Sequence, residues 1–185
     1  MGKNSNPQLI IGISVTVGIC LIACVGIGIV AYNAPNLLDF SPNQSSLDVG
    51  TAAPDFELTA LGGGTVRLSQ FKGRPVLLSV GATWCPECRA STPVLQSLHE
   101  SHPELVLLLL DLEEDANVVQ GYVDEMGITY RVLLDLDGKV GKLYKVVYIP
   151  TELFIDADGI IRAKLVEAAT QKSLADSLPL IGVHP

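Results

Sequence analysis

Two cysteines separated by two residues constrain this chain more than any other feature. Cys85 and Cys88 follow an apolar run at residues 76–80 and precede a segment, residues 87–100, that can be helical. This order predicts a buried strand, a short turn and a helix N-terminus beside Cys85. Unpaired N–H groups and the helix dipole favour a negative atom there, so the Cys85 thiol should ionise more easily than a free cysteine. Cys88 lies one turn later, close enough for a disulfide, so we predict a dithiol that is oxidised and reduced in turn.

The residues alone leave other uses of this motif open. A zinc site needs about four ligands, but Cys20 and Cys24 lie in an apolar segment far upstream. Haem attachment needs a histidine directly after the second cysteine, where this chain has Arg89. A permanent structural disulfide also fits the spacing, although the strand–turn–helix context favours a redox pair. We predict no metal site and no cofactor.

The N-terminal part of the chain predicts a membrane anchor. Residues 9–32 carry no charged side chain. As a helix rising 1.5 Å per residue they would span roughly 36 Å, enough to cross a bilayer, whereas a signal-peptide core has only about 7–15 residues. Lys3 precedes this segment and Arg67 is the first basic residue after it. The positive-inside rule then predicts a single-pass membrane protein, with residues 1–8 in the cytoplasm and the C-terminal domain on the extracytoplasmic side.

Cleavage of this segment is the alternative. Residues 21–24 resemble a bacterial lipoprotein box, which would leave Cys24 as a lipidated N-terminus, although the apolar run continues to Tyr32. Ordinary cleavage near Asn33 would place Pro35 just after the cut. If the segment is retained, Cys20 and Cys24 lie on one face of the helix, as small apolar fillers, as a helix-packing contact or as a second redox pair.

The remainder divides into a tether, residues 33–50, and one domain, residues 51–185. The net charge of -8 argues against a nucleic-acid partner and favours a monomer. Strand and helix patterns alternate along the domain and predict an α/β fold, in which a central mixed β-sheet has helices on both faces and follows an N-terminal hairpin. Strands are expected at residues 55–58, 65–68, 76–80, 105–110, 132–135, 152–156 and 160–166. Helices are expected at residues 87–100, 113–126, 139–146 and 170–178. Glu113, Glu114 and Asp115 should cap the second of these helices, and Gly127 should stop it.

Several short motifs, in order and over most of the domain, resemble membrane-anchored thioredoxin-fold proteins of the TlpA/ResA type. The matching segments are residues 53–56, 66–69, 71–73, 82–89, 144–146, 149–151 and 154–159. The resemblance implies a thioredoxin-like fold. It also implies thiol–disulfide exchange with protein cysteines outside the cytoplasmic membrane, in the reductive direction, as in cytochrome c maturation, with a membrane electron donor.

The resemblance also assigns roles to site residues. It implies that Cys85 attacks the substrate and that Cys88 resolves the mixed disulfide, with Trp84, Pro86 and Glu87 as supporting residues. It further implies a cis peptide bond between Ile149 and Pro150 that faces the cysteines.

Two alternative functions use the same cysteines. A peroxiredoxin-like peroxidase is one, although Ala82 occupies the position of a typical threonine. The other is a copper carrier with Cys85 and Cys88 as soft ligands.

Three positions depart from the family pattern. Ser91 stands where many relatives have a glutamate, and Ser79 where thioredoxins keep an aspartate. Neither of the buried carboxylates usual in such proteins is therefore present to move protons to and from Cys88, and the sequence leaves open what replaces them. Gly81 replaces a bulky aromatic residue, which predicts looser packing beside the site. Glu87, if close, would raise the pKa of Cys85.

Overall fold

The computed structural model describes residues 47–184. The predictions for residues 1–8 and 9–32, and for the tether except its last four residues, fall on residues outside that range. Among the helices of residues 47–184, none combines the length and the apolar character that crossing a bilayer requires.

The described residues contain seven strands in one mixed sheet, in the order β2-β1-β5-β4-β3-β6-β7. Strands β3, β4 and β5 run parallel, and the other neighbours are antiparallel. Every residue of β3 is buried, as expected for an apolar strand that is covered on both faces. The strands are β1 (Glu57–Ala60), β2 (Thr65–Arg67), β3 (Val76–Gly81), β4 (Val106–Leu112), β5 (Arg131–Asp135), β6 (Thr151–Ile155) and β7 (Ile161–Leu165).

Helices connect the parallel strands because a parallel pair needs a crossover. The helices are α1 (Pro86–Ser101), α2 (Ala116–Met126), α3 (Lys139–Leu143) and α4 (Gln171–Ser177), with 3-10 helices at Leu68–Phe71 and Leu178–Ile181. Helix α1 joins β3 to β4 and α2 joins β4 to β5, whereas α3 lies between β5 and β6. The predicted mixed sheet, its helices and the hairpin of β1 and β2 are thus confirmed, with boundaries shifted by a few residues.

Alternation along the strands gives the sheet two apolar faces. On one face, Leu77 of β3 packs in a cluster with Leu95 of α1 and Val119 of α2. On the other face, Leu78 of β3 belongs to a cluster with Tyr144, which follows α3. The sheet is therefore covered on both sides, and α1 lies on the same face as α2.

Of the two predicted end signals of α2, the structure confirms the stop but not the acidic cap. Gly127 ends the helix in the left-handed conformation with φ 65°, as predicted for a stop signal. Asp115 occupies the N-cap position, but its side chain makes no capping hydrogen bond and the first turn holds no acid. The expectation that residues 113–115 act as capping charges is thus wrong for Glu114, which bonds to a residue beside the cysteines instead.

Candidate active site

The two cysteines of the motif form a disulfide at the N-terminus of α1. Their Cα atoms lie 5.2 Å apart. Cys85 is the N-cap of α1, and Pro86 opens the helix, where its missing N–H costs nothing. The Cys88 N–H donates a hydrogen bond to Sγ of Cys85 at 3.1 Å. This donor and the helix dipole both favour negative charge on Cys85.

The two cysteines differ little in solvent exposure. In the disulfide form Cys85 is 2% exposed and Cys88 8%. The electrostatic asymmetry at the helix N-terminus, rather than accessibility, is therefore the reason to expect attack by Cys85. The assignment of Cys85 as the attacking thiol and Cys88 as the resolving thiol stays a prediction.

The supporting residues lie on the loop before α1, in the first turn of α1 and on the loop before β6. Trp84 is 69% exposed, and Pro86 and Glu87 are exposed beside it. The Ile149–Pro150 peptide bond is cis, as the resemblance implied. Because Val80 at the end of β3 pairs with Thr151 at the start of β6, this bond lies beside the loop that leads to Cys85.

A groove runs between these two loops. Trp84 and Ile149 line it, together with the exposed Val147 and, on its walls, Glu113 and Lys142. Its volume is about 410 Å³. Trp84 directly precedes Cys85, so the groove begins next to the disulfide, and its mixed apolar and charged lining suits an extended polypeptide.

Gly81 lies in close contact with Cys88. A Cβ atom at Gly81 would lie 3.1 Å from Sγ of Cys88 and 3.4 Å from its Cβ. The prediction that this glycine loosens the packing is therefore wrong. Glycine is what allows α1 to approach β3 so closely at the disulfide.

Both usual carboxylate positions are serine, as the sequence shows, but another strand supplies a buried acid beside Cys88. Asp111, near the end of β4, is 2% exposed, and its Oδ1 has no hydrogen-bond partner among the described residues. Burial, repulsion by Glu114 and a hydrogen bond shared with Glu114 raise the pKa of Asp111 to about 7. Asp111 and Cys88 line the same small cavity.

Glu152 is a further buried acid of the sheet, but it does not line the cavity that Asp111 and Cys88 share. It is fully buried on β6, and Ser79 Oγ donates a hydrogen bond to its Oε1 at 3.1 Å. Burial raises the pKa of Glu152 to about 8, against the opposing hydrogen bond from Ser79. Asp111 stands at the end of an otherwise apolar run, and that pattern was the sequence signal for it.

The two serines that replace the usual acids have structural contacts. Ser79 donates its hydrogen bond to Glu152. Ser91 Oγ donates to the Glu87 carbonyl at 3.0 Å and accepts a hydrogen bond from the Ala169 N–H at 2.8 Å. Ser91 therefore ties α1 to the segment before α4.

Sequence reasoning also missed the contacts of Glu114. Its carboxylate accepts hydrogen bonds from the Thr83 N–H at 2.6 Å and from Thr83 Oγ1 at 2.7 Å. It thereby fixes the loop that precedes Trp84. Nearby, Arg89 pairs with Glu125 and lies over the ring of Tyr122.

Among residues 47–184, no group of three or more His, Cys, Asp and Glu side chains is placed to hold a metal ion. The chemistry that the site offers is that of the two sulfurs and of Asp111 behind them.

Comparison with known proteins identifies relatives whose names describe thiol–disulfide chemistry or a thioredoxin-like protein. The chain matches the model of the AhpC/TSA family over residues 49–164. It is 28% identical to the thiol-disulfide oxidoreductase ResA of Bacillus thuringiensis, over 88% of this chain and 92% of that protein. It is 30% identical to the thioredoxin-like protein YneN of Bacillus subtilis, over 88% of this chain and 95% of that protein.

A solved structure from Chlorobium tepidum, described as a candidate thiol:disulfide interchange protein DsbE, superposes with a TM-score of 0.69 at 27% identity. The alignment covers 74% of this chain and all of that one. The chain therefore belongs to the AhpC/TSA family, as a thiol–disulfide oxidoreductase with a thioredoxin-like fold.

Proposed function

We propose that Cys85 and Cys88 exchange their disulfide with cysteines of protein substrates outside the cytoplasmic membrane. The observation that carries this proposal is the Cys85–Cys88 disulfide at the N-terminus of α1, beside an open groove edged by Trp84. A thiolate at a helix N-terminus is a good nucleophile. The exposed indole offers an apolar contact to a bound chain.

We propose the reductive direction, as in cytochrome c maturation. The Cys85 thiolate attacks one sulfur of a substrate disulfide, which forms a mixed disulfide and releases the other substrate thiolate. The Cys88 thiolate then attacks Sγ of Cys85 and releases the second substrate thiolate. The dithiol has lost two electrons, so a membrane electron donor must reduce it again. The resemblance to TlpA/ResA proteins supports this direction.

The extracytoplasmic location is also a proposal. It is supported by the uncharged residues 9–32 and by the position of Lys3 before that segment. An oxidising compartment keeps cysteine pairs oxidised unless electrons are supplied, which fits the need for a donor.

Three assays on the reduced full-length chain test the function. We expect the chain to reduce insulin. We expect no peroxide consumption that depends on Cys85 and no tight Cu(I) binding that depends on Cys85. A Cys88→Ser variant should accumulate a mixed disulfide with the substrate through Cys85, whereas Cys85→Ser should not. Peroxide consumption without insulin reduction would instead support a peroxidase, and stoichiometric Cu(I) binding without exchange a copper carrier.

The reduction potential tests the direction. A value near that of thioredoxin, about −270 mV, supports a reductant, whereas a value near about −120 mV is that of a strong oxidant. The second result would contradict the reductive role and leave disulfide exchange itself intact.

A further inference from the structure

We propose that Asp111, coupled to Glu114, accepts the proton of the Cys88 thiol and passes it towards the surface. This inference rests on the proposed exchange reaction at Cys85 and Cys88. It assigns proton transfer to a residue of β4, because positions 79 and 91, where similar proteins carry an acid, are both serine here.

The strand register directs Asp111 towards Cys88. Gly81 and Asp111 are partners in the parallel pair of β3 and β4, and partners in a sheet point to the same face. Gly81 faces Cys88, since a Cβ there would lie 3.1 Å from Sγ. Asp111 therefore faces α1 at its cysteine end, and no side chain of residue 81 separates it from Cys88.

Asp111 and Cys88 meet at one cavity of about 10 Å³. That is roughly the space of a single water molecule, which needs about 10–15 Å³. Asp111 is almost fully buried and its Oδ1 has no partner among the described residues. Because an unpaired buried oxygen is costly, a thiol or a water in this cavity is the natural partner for Oδ1.

Glu114 connects Asp111 with the outside. Glu114 lies close enough to Asp111 to raise its pKa, and Glu114 is itself half-buried and held by Thr83. Burial and the charge of Glu114 raise the pKa of Asp111 to about 7. A base with a pKa near the working pH both accepts and releases protons readily.

The other ionisable groups around Cys88 are less suited. Tyr122 of α2 and Tyr130 line the cavity, but burial raises the pKa of each above its ordinary value, so both are neutral donors at neutral pH. Arg89 of α1 lies over Tyr122 and pairs outward with Glu125. Glu152 of β6 bonds to Ser79 and does not line the cavity, which makes it the rival acceptor and the control.

The proton of Cys88 moves when this thiol resolves the mixed disulfide. Once Cys85 is in the mixed disulfide, the Cys88 thiol gives its proton to the Asp111 carboxylate, directly or through one water. The Cys88 thiolate attacks Sγ of Cys85, the new S–S bond forms, and the substrate sulfur leaves as a thiolate. Asp111 then releases the proton towards Glu114 and solvent. In the reverse direction, Asp111 returns the proton to Cys88.

An aromatic disulfide with a coloured thiolate separates the two steps. Reduced full-length chain, with Cys20→Ala and Cys24→Ala in every variant, is mixed with the reagent in a stopped-flow instrument from pH 5.5 to 9.5. The first thiolate reports attack by Cys85, and the second reports attack by Cys88. The variants are Asp111→Asn, Glu114→Gln and the control Glu152→Gln.

We expect Asp111→Asn to slow the second release by ~10-fold or more at pH 7 and to leave the first unchanged, since a positioned base contributes about 10²–10⁴-fold. The loss should shrink above about pH 8.5, where a free thiol ionises without help. Glu114→Gln should move the acid limb of the second release to lower pH, because it removes the charge that raises the pKa of Asp111. Glu152→Gln should leave the profile unchanged.

Equal slowing by Asp111→Asn at every pH would indicate a merely structural effect and overturn the inference. An unchanged profile, or slowing by Glu152→Gln in its place, would also overturn it. If Asp111→Asn fails to fold, the shift caused by Glu114→Gln decides the question. If the chain without these substitutions releases no second thiolate, the proposed exchange function fails as well, so the two failures are distinguishable.

Discussion

At the level of single residues, the surroundings of the two sulfurs differ more than their exposure. Cys85 is the N-cap and accepts the Cys88 N–H, whereas Cys88 lies against Gly81 and the cavity with Asp111. The first environment stabilises a thiolate, and the second holds a thiol until a base removes its proton. This division fits one sulfur that attacks and one that resolves.

The difference predicts an order of alkylation. In the reduced protein, iodoacetamide at neutral pH should modify Cys85 before Cys88, because the thiolate is the reactive form and the helix N-terminus favours it at Cys85. Peptide mapping by mass spectrometry measures both rates, with Cys88→Ser as a control for Cys85 alone. Equal rates, or faster modification of Cys88, would contradict the assignment.

Glu152 predicts a pH-dependent stability. Its pKa is raised from 4.5 to about 8 by burial, so its contribution to stability is present below pH 4.5 and is lost as the pH rises to 8. At about 1.4 kcal/mol per pKa unit, the loss reaches about 5 kcal/mol at most. Glu152→Gln should therefore gain stability over the original protein between pH 4.5 and 8, with a constant difference above.

Chemical denaturation across this pH range measures the effect. The exposed Glu104 supplies the control, since Glu104→Gln should follow the original protein at every pH. Parallel curves for the original protein and Glu152→Gln would show that burial of this acid does not disfavour its ionised form.

At the level of elements, the approach of α1 to β3 sets the position of the disulfide. Gly81→Ala would place a Cβ 3.1 Å from Sγ of Cys88, and neither the strand nor the start of the helix is free to retreat. Overpacking of this kind costs about 1–3 kcal/mol. We expect the free energy of unfolding to fall by that amount, as measured by denaturant titration.

Gly121 offers a matched control for this substitution. It lies exposed within α2, and a Cβ there meets nothing within 4 Å. Gly121→Ala should raise the free energy of unfolding by about 0.5–1 kcal/mol, because alanine is the better helix former. If Gly81→Ala were also stabilising, the close contact at the disulfide would be refuted.

At the level of the whole molecule, the active-site domain is expected to stand outside the membrane on a tether. If residues 9–32 anchor the chain, protease added to intact cells should release the domain by cutting within residues 33–50. Immunoblotting of membrane and soluble fractions measures this release, with a cytoplasmic protein as the control for lysis. A mature protein that begins at a lipidated Cys24 would contradict retention of the anchor.

The sequence by itself determined the elements and the redox motif. Apolar runs at residues 76–80 and 105–110 are buried strands in almost any packing, because burial on both faces demands continuous hydrophobicity. The motif from Cys85 to Cys88 sits at a strand–helix junction, and Gly127 marks a helix end by its backbone freedom. These signals are local, so they needed no knowledge of the rest of the fold.

Only the tertiary structure decided what surrounds the sulfurs. Gly81 and Asp111 are far apart along the chain, and only the register of β3 against β4 brings them together beside Cys88. In the same way, the pairing of β3 with β6 sets Glu152 opposite Ser79. Neither contact follows from local pattern, because a shift of one residue in either register would turn the acid to the opposite face of the sheet.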